Sequence, residues 1–168
     1  MKYEIGQYVM CRHNGVFRVE AIGQLHFLQD HAQKYYTLKP SFTVDDGRSY
    51  LPITAENCLR AVITPDEAYT YLNKLSNMQV KLLRPKKWQE LVSHYQALLS
   101  SDDLSERLRL LKEIHLKEKA AKEKGKQLTV TEEQYKRKIE KVLSEEFAIA
   151  LNESPTRSKE RLYSVLNS

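Results

Sequence analysis

The run Lys81-Leu82-Leu83-Arg84-Pro85-Lys86-Lys87-Trp88 sets four cations, no acid and the chain's only tryptophan within one short segment. Lysine and arginine held against phosphates release condensed counterions, so such a cluster suits a nucleic-acid backbone and gives salt-dependent binding. An indole beside it can wedge between base pairs or stack on an unpaired base. The same residues also suit a plainer role, a linker of solvated lysines with Trp88 as the first core residue of its helix. A second basic run, residues 107–126, holds 8 basic and 3 acidic side chains and fits a charged helix exterior. Cys11 and His13, two apart, would share one face of a strand. A thiol nucleophile or a metal site there competes with a small buried cysteine beside a turn histidine. The sequence holds no P-loop, dinucleotide fingerprint or nucleophile elbow, and no Cys-x-x-Cys pair joins its five scattered histidines. Its carboxylates fall at helix starts or at helical spacing from partners: Glu113 with Lys117, Glu118 with Lys122, Glu140 with Ser144. That spacing fits a solvated face, the first two as ion pairs. No catalytic residues, cofactor or metal are expected, and the chain does not read as an enzyme.

The elements that must position Trp88 follow from composition and period. The 168 residues carry 27 Lys+Arg against 22 Asp+Glu, a net charge of +5, with 41% apolar and 29% charged side chains. That is globular composition. No apolar stretch is long enough to span a bilayer, two cysteines cannot staple a secreted scaffold, and no signal region follows the first residues. The expected location is cytoplasmic. The basic excess permits a polyanion partner. Four of the five glycines lie in the first 47 residues, and residues 65–168 carry most of the net positive charge.

Residues 1–64 read in twos. In Val16-Phe17-Arg18-Val19-Glu20-Ala21-Ile22, Phe17, Val19 and Ala21 share one face and Arg18 and Glu20 the other. Further strands are expected over 8–11, 34–39, 48–51 and 58–63, with turns at Asn14-Gly15 and Asp45-Asp46-Gly47. Residues 65–168 read in threes and fours. Thr64-Pro65-Asp66-Glu67 starts a helix whose apolar positions are Ala68, Tyr71, Leu72 and Leu75. The stripe Trp88, Leu91, Val92, Tyr95, Leu98, Leu99 makes a second helix. A third runs from Ser101-Asp102-Asp103 through Leu104, Leu108, Leu111 and His115 to Gly125. Thr131-Glu132-Glu133-Gln134 reads as a capping box opening a fourth, with Tyr135, Ile139, Val142, Leu143, Phe147 and Ala150 inward. Ser154-Pro155 starts a fifth bearing Leu162, Val165 and Leu166. The expected fold class is α+β: a small SH3/Tudor-like β-barrel or bent sheet over 1–64, then an all-α bundle of about five helices over 65–168.

The pattern resembles the CarD/CdnL family of bacterial transcription regulators, whose N-terminal module is shared with the RNA polymerase-interacting domain of transcription-repair coupling factors. Ile5-Gly6-Gln7-Tyr8-Val9-Met10 is similar to the family's opening, His13-Asn14-Gly15 to its His-x-Gly turn, and Val19-Glu20-Ala21-Ile22 to the strand that follows. Tyr35-Tyr36-Thr37-Leu38-Lys39 resembles its next strand, and Tyr50-Leu51-Pro52 with Ala55-Glu56-Asn57 its Val-Pro-x-x-Asn turn. A Trp at a helix start, Ser101-Asp102 at the next boundary, Leu128-Thr129 and the ending Phe147-Ala148-Ile149-Ala150 follow in order. The resemblance implies a β domain that docks on the RNA polymerase β subunit through Arg48, Tyr50 and Leu51. It also implies a helical domain that contacts promoter DNA without sequence specificity at the upstream edge of the bubble. There Trp88 would act as a minor-groove wedge that stabilises the open complex, with Lys81, Arg84, Lys86 and Lys87 on phosphates. A monomer with no membrane partner is expected. The chain departs from the family in having Gln89-Glu90-Leu91-Val92-Ser93 where Ser-Arg-Arg-Tyr-Lys is usual, Lys87 where Asn precedes the Trp, and Arg12 for a turn Pro. Tyr50 stands at a polymerase-facing arginine position, with Arg48 two residues earlier on the same face. The alternative is a polymerase- or protein-binding adaptor with little or no DNA contact.

Overall fold

The computed structural model describes residues 1–11, 14–28, 32–43 and 47–168, which form two compact units, Met1–Val62 and Ile63–Ser168. The first unit holds strands β1 (Tyr8–Cys11), β2 (Val16–Gln24), β3 (Lys34–Pro40), β4 (Ser49–Pro52) and β5 (Leu59–Ala61), with a 3-10 helix (Ile53–Cys58) before β5. They make one antiparallel sheet in the order β4-β3-β2-β1-β5. β4 and β5 lie at opposite edges, so the sheet is open among the described residues. Phe17, Val19, Tyr36, Leu38, Val9 and Leu59 form its core, and Cys11, Ile22 and Leu51 are half-buried against them. The Tyr36 hydroxyl donates to Glu56 Oε2 at 2.6 Å and so ties the 3-10 turn to β3. Gly15, at φ +101°, supplies the left-handed turn that the Asn-Gly pair implied. His13, Arg12, Asp45 and Asp46 lie outside the described residues, and with them the Cys11–His13 pairing and part of the second turn.

One face assignment is overturned. Val19 pairs with Leu38 and Ala21 with Thr37, so the register slips by one residue between them and Glu20 becomes a bulge. A bulge flips every later side chain to the other face. Ala21 is therefore exposed, and Ile22, opposite the buried Tyr36, packs on the core instead.

The second unit is built of α1 (Pro65–Asn77), α2 (Trp88–Ser100), α3 (Leu104–Glu123), α4 (Val130–Leu151) and α5 (Pro155–Leu166). Thr64 and Glu67 form the reciprocal capping box of α1; Asp103 caps α3 and Ser154 caps α5. α4 starts two residues earlier than its expected box: Thr129 is the cap and Glu132 reaches back to it. Thr131 and Gln134 spell the same pattern, but an ionised carboxylate accepts from the N-cap amide, as Glu132 does from Thr129, and meets the helix dipole better than a neutral amide. The inward face of α4 is as expected, with Ile139, Leu143 and Phe147 fully buried. Each such side chain contributes roughly 1.5–3 kcal/mol of transfer free energy.

The charged run of α3 is not wholly exterior. Arg107 is 2% exposed, with its Nε donating to the Leu99 carbonyl at 3.1 Å. Glu113 is also buried and meets His94 Nε2 at 2.8 Å; Lys117 instead joins Glu132 at 3.3 Å and lies over the Tyr95 ring. The expected Glu113–Lys117 pair is lost because Glu113 shares the inward face of α3 with Leu110 and Ile114, whereas Glu118 and Lys122 do pair at 3.2 Å. Glu140 accepts from the Tyr163 hydroxyl at 2.7 Å and pairs with Lys159 at 2.8 Å, so its spacing from Ser144 is incidental. No helix among the described residues is long and apolar enough to cross a membrane.

Candidate nucleic-acid interface

Residues 78–87 carry no regular structure and lead from α1 into α2. Pro85 favours this extended course, because its ring disfavours helix at the preceding residue. Lys112, on α3, donates its ammonium to the Leu75 carbonyl at 3.1 Å and to the Met78 carbonyl, which anchors the segment's start. Beyond that anchor Lys81, Arg84, Lys86 and Lys87 are all exposed, and none of their side chains has a hydrogen-bond or ion-pair partner among the described residues. They sit close in sequence without acids to neutralise them.

Trp88 is the first residue of α2 and 64% exposed. The plainer expectation, an indole that opens the core stripe, is therefore not what the packing shows. Leu91 and Val92 are half-buried, and only from Tyr95 onward do Leu98 and Leu99 complete the core. The helix start itself differs from its neighbours. Lys87 occupies the N-cap with extended backbone (φ −122°, ψ 139°) and offers no side-chain acceptor, whereas the other four α-helices each have a side-chain cap. The Glu90 amide donates to the Lys87 carbonyl at 3.1 Å, and the start of the helix, with the positive end of its dipole, lies beside Lys87 and Trp88. Glu90 and the uncharged Gln89 and Leu91 follow, so the cations stand on the N-terminal side of the indole.

The α2–α3 hairpin fixes what lies at this end of the bundle. Leu99 meets Arg107, His94 meets Glu113 and Tyr95 meets Lys117. Continued along two antiparallel helices, these pairings bring Trp88 abreast of the last turns of α3. α4 begins at the same end, since Lys117 reaches Glu132 and the Tyr135 hydroxyl donates to Gln96 at 3.0 Å. Gly125, at φ +70°, ends α3 there, and the Lys126 amide donates to the Ala121 carbonyl at 2.7 Å. Lys119, Lys124 and Lys126 are exposed around this stop. Sequence reasoning left them as helix exterior; the hairpin pairing sets them at the end of the bundle that carries the tryptophan.

The other expected site is on the sheet. Tyr50 is opposite Thr37 and Leu51 opposite the buried Tyr36, so these two residues face opposite sides. Tyr50 is exposed and stacks edge-on with the exposed Phe27, ring centres 5.1 Å apart; this aromatic pair had no signature in the sequence. Arg48 forms a two-pronged pair with the bulged Glu20, its Nη2 3.1 Å from Oε1. That guanidinium holds the Glu20 carboxyl below the usual carboxylate range. Leu51 is half-buried on the core. No group of three or more metal-ligating side chains occurs among the described residues.

No protein-family model matches the chain, and no curated protein is significantly similar to it.

Proposed function

We propose that this chain is a CarD/CdnL-like bacterial transcription regulator, cytoplasmic and non-enzymatic. Its sheet unit docks on the RNA polymerase β subunit, and its helical unit stabilises the open promoter through Trp88. The observation that carries this reading is the exposed indole at the uncapped start of α2, beside four cations with no internal partner. The connectivity of the first unit supports it: a meander, a 3-10 turn and a last strand returning to pair with β1 suit an SH3/Tudor-like half-barrel.

In this mechanism polymerase docking supplies the effective concentration that a few phosphate contacts lack. Arg48 and Tyr50 face the β subunit, while Leu51 supports their strand from the core side. Lys81, Arg84, Lys86 and Lys87 take backbone phosphates without reading bases. Trp88 enters the minor groove at the upstream edge of the bubble. Unstacking a base step costs roughly a few kcal/mol, and melting has already met that cost at this point. The wedge then opposes reannealing and slows bubble collapse.

Trp88→Ala, assayed by the decay of preformed open complexes on a bacterial polymerase, tests this. The variant should still co-purify with polymerase yet shorten open-complex lifetime. A lifetime equal to the parent's removes the wedge and leaves the adaptor reading.

A further inference from the structure

Twenty lysines and arginines belong to the helical unit, and their partners divide them by place. Away from the α2 start they are engaged within the unit: Lys112 on the α1 carbonyls, Lys136 on Glu118, Lys159 on Glu140, Arg161 on Glu153. Besides the cations of the 81–87 segment, the side chains of Lys119, Lys124 and Lys126 have no hydrogen-bond or ion-pair partner among the described residues. All three lie in the last turn and a half of α3 or just past it, at the end of the bundle that carries Trp88. The side chains after the tryptophan, Gln89, Glu90 and Leu91, supply no positive charge there. A row from α3 would.

We propose that Lys119, Lys124 and Lys126 form a second line of contacts to the phosphates of the duplex whose opened edge Trp88 engages. This rests on the DNA-binding reading of α2 and adds the residues that set its strength. The occupant is a nucleic-acid backbone rather than an acidic protein for two reasons. Protein interfaces are depleted in lysine and draw their energy from aromatic and arginine anchors seated in pockets, whereas these ammonium groups stand on free stems. Sequence-independent backbone contact needs only such point charges, and the exposed indole at the same end has an affinity for unstacked bases. The competing role is a local one, in which the lysines complement the negative end of the α3 dipole. That role affects helix stability and leaves DNA binding alone.

The full-length chain is titrated with a fluorescent forked duplex across a potassium chloride series. The parent is compared with K119Q/K124Q/K126Q and with K141Q/R157Q/K159Q, which removes the same charge from positions on α4 and α5. Each phosphate contact contributes about 0.9 to the slope of log K against log salt. The α3 variant should therefore lose about 2 to 3 from that slope with helicity by circular dichroism unchanged, while the control keeps the parent's slope. An unchanged slope in the α3 variant, or an equal loss in both variants, overturns the second line of contacts and leaves the Trp88 reading standing. A parent with no salt-dependent affinity for the fork overturns both and favours an acidic protein partner.

Discussion

Lys87→Ser separates the stability of α2 from its proposed function. Lys87 is the N-cap of the helix, its backbone is already in the extended region that capping residues adopt, and its carbonyl accepts from the Glu90 amide at 3.1 Å while its side chain supplies no acceptor. Serine in that place is oriented to accept from them, as Ser154 accepts from the Arg157 amide at 3.1 Å on α5. Gaining such a cap is worth about 1 kcal/mol. For a helical unit of this size that raises its unfolding midpoint by roughly 4 °C. The same change deletes one phosphate contact, which at about 0.1 M salt weakens duplex binding roughly eightfold relative to a 1 M reference. Thermal unfolding followed by circular dichroism at the helical band reads the first effect, and fork-binding anisotropy reads the second. A stabilised variant with weaker binding fits a helix start left uncapped in favour of a ligand. Unchanged stability would mean that the amides are already satisfied; unchanged or tighter binding would remove Lys87 from the interface.

Other outcomes follow from the packing. Phe147→Ala, at a fully buried position of α4, should cost about 3–5 kcal/mol by chemical denaturation, and a loss below 1 kcal/mol would contradict that placement. Tyr95→Phe should cost less than about 1 kcal/mol in the same assay, because the buried Tyr95 hydroxyl, though it faces the Glu132 carboxylate, meets no partner at hydrogen-bond geometry among the described residues; a loss of about 1–3 kcal/mol would show that it has one. Glu153 is held below its ordinary 4.5, first by the Arg161 hydrogen bond and also by Ser158 and Arg157. The native state thus binds fewer protons than the unfolded chain just below that pH, so this contribution is full above it and is lost as pH falls through the lowered value. An acid series of thermal midpoints should show Glu153→Gln flattening that decline, and parallel curves for parent and variant would contradict the linkage.

Much of the fold was legible because local chemistry and period agree. Thr64-Pro65-Asp66-Glu67, Ser154-Pro155 and Gly125 mark helix ends by mechanisms acting within one turn, and the α4 stripe from Tyr135 to Ala150 is a clean helical face. What escaped depends on partners distant in sequence. The Glu20 bulge arises where β2 meets β3, so an alternating pattern through Ala21 gave no warning of it. Glu113 and Lys117 stand at ion-pair spacing, yet His94 and Glu132 from other helices take them. The candidate site divides in the same way. The 81–88 cluster is contiguous and was visible, but whether its indole is core or surface is decided by how α2 packs. That the α3 lysines lie at the same end of the bundle follows only from the pairing of α2 with α3.

The chain's lone tryptophan is also its own reporter. Its emission should be strongly quenched, and shielded from acrylamide, when the full-length protein binds a forked fragment at low salt, and much less so with a blunt duplex of the same length, because only the fork offers a separated base step. Emission and acrylamide access unchanged by saturating fork would contradict the claim that Trp88 engages opened DNA.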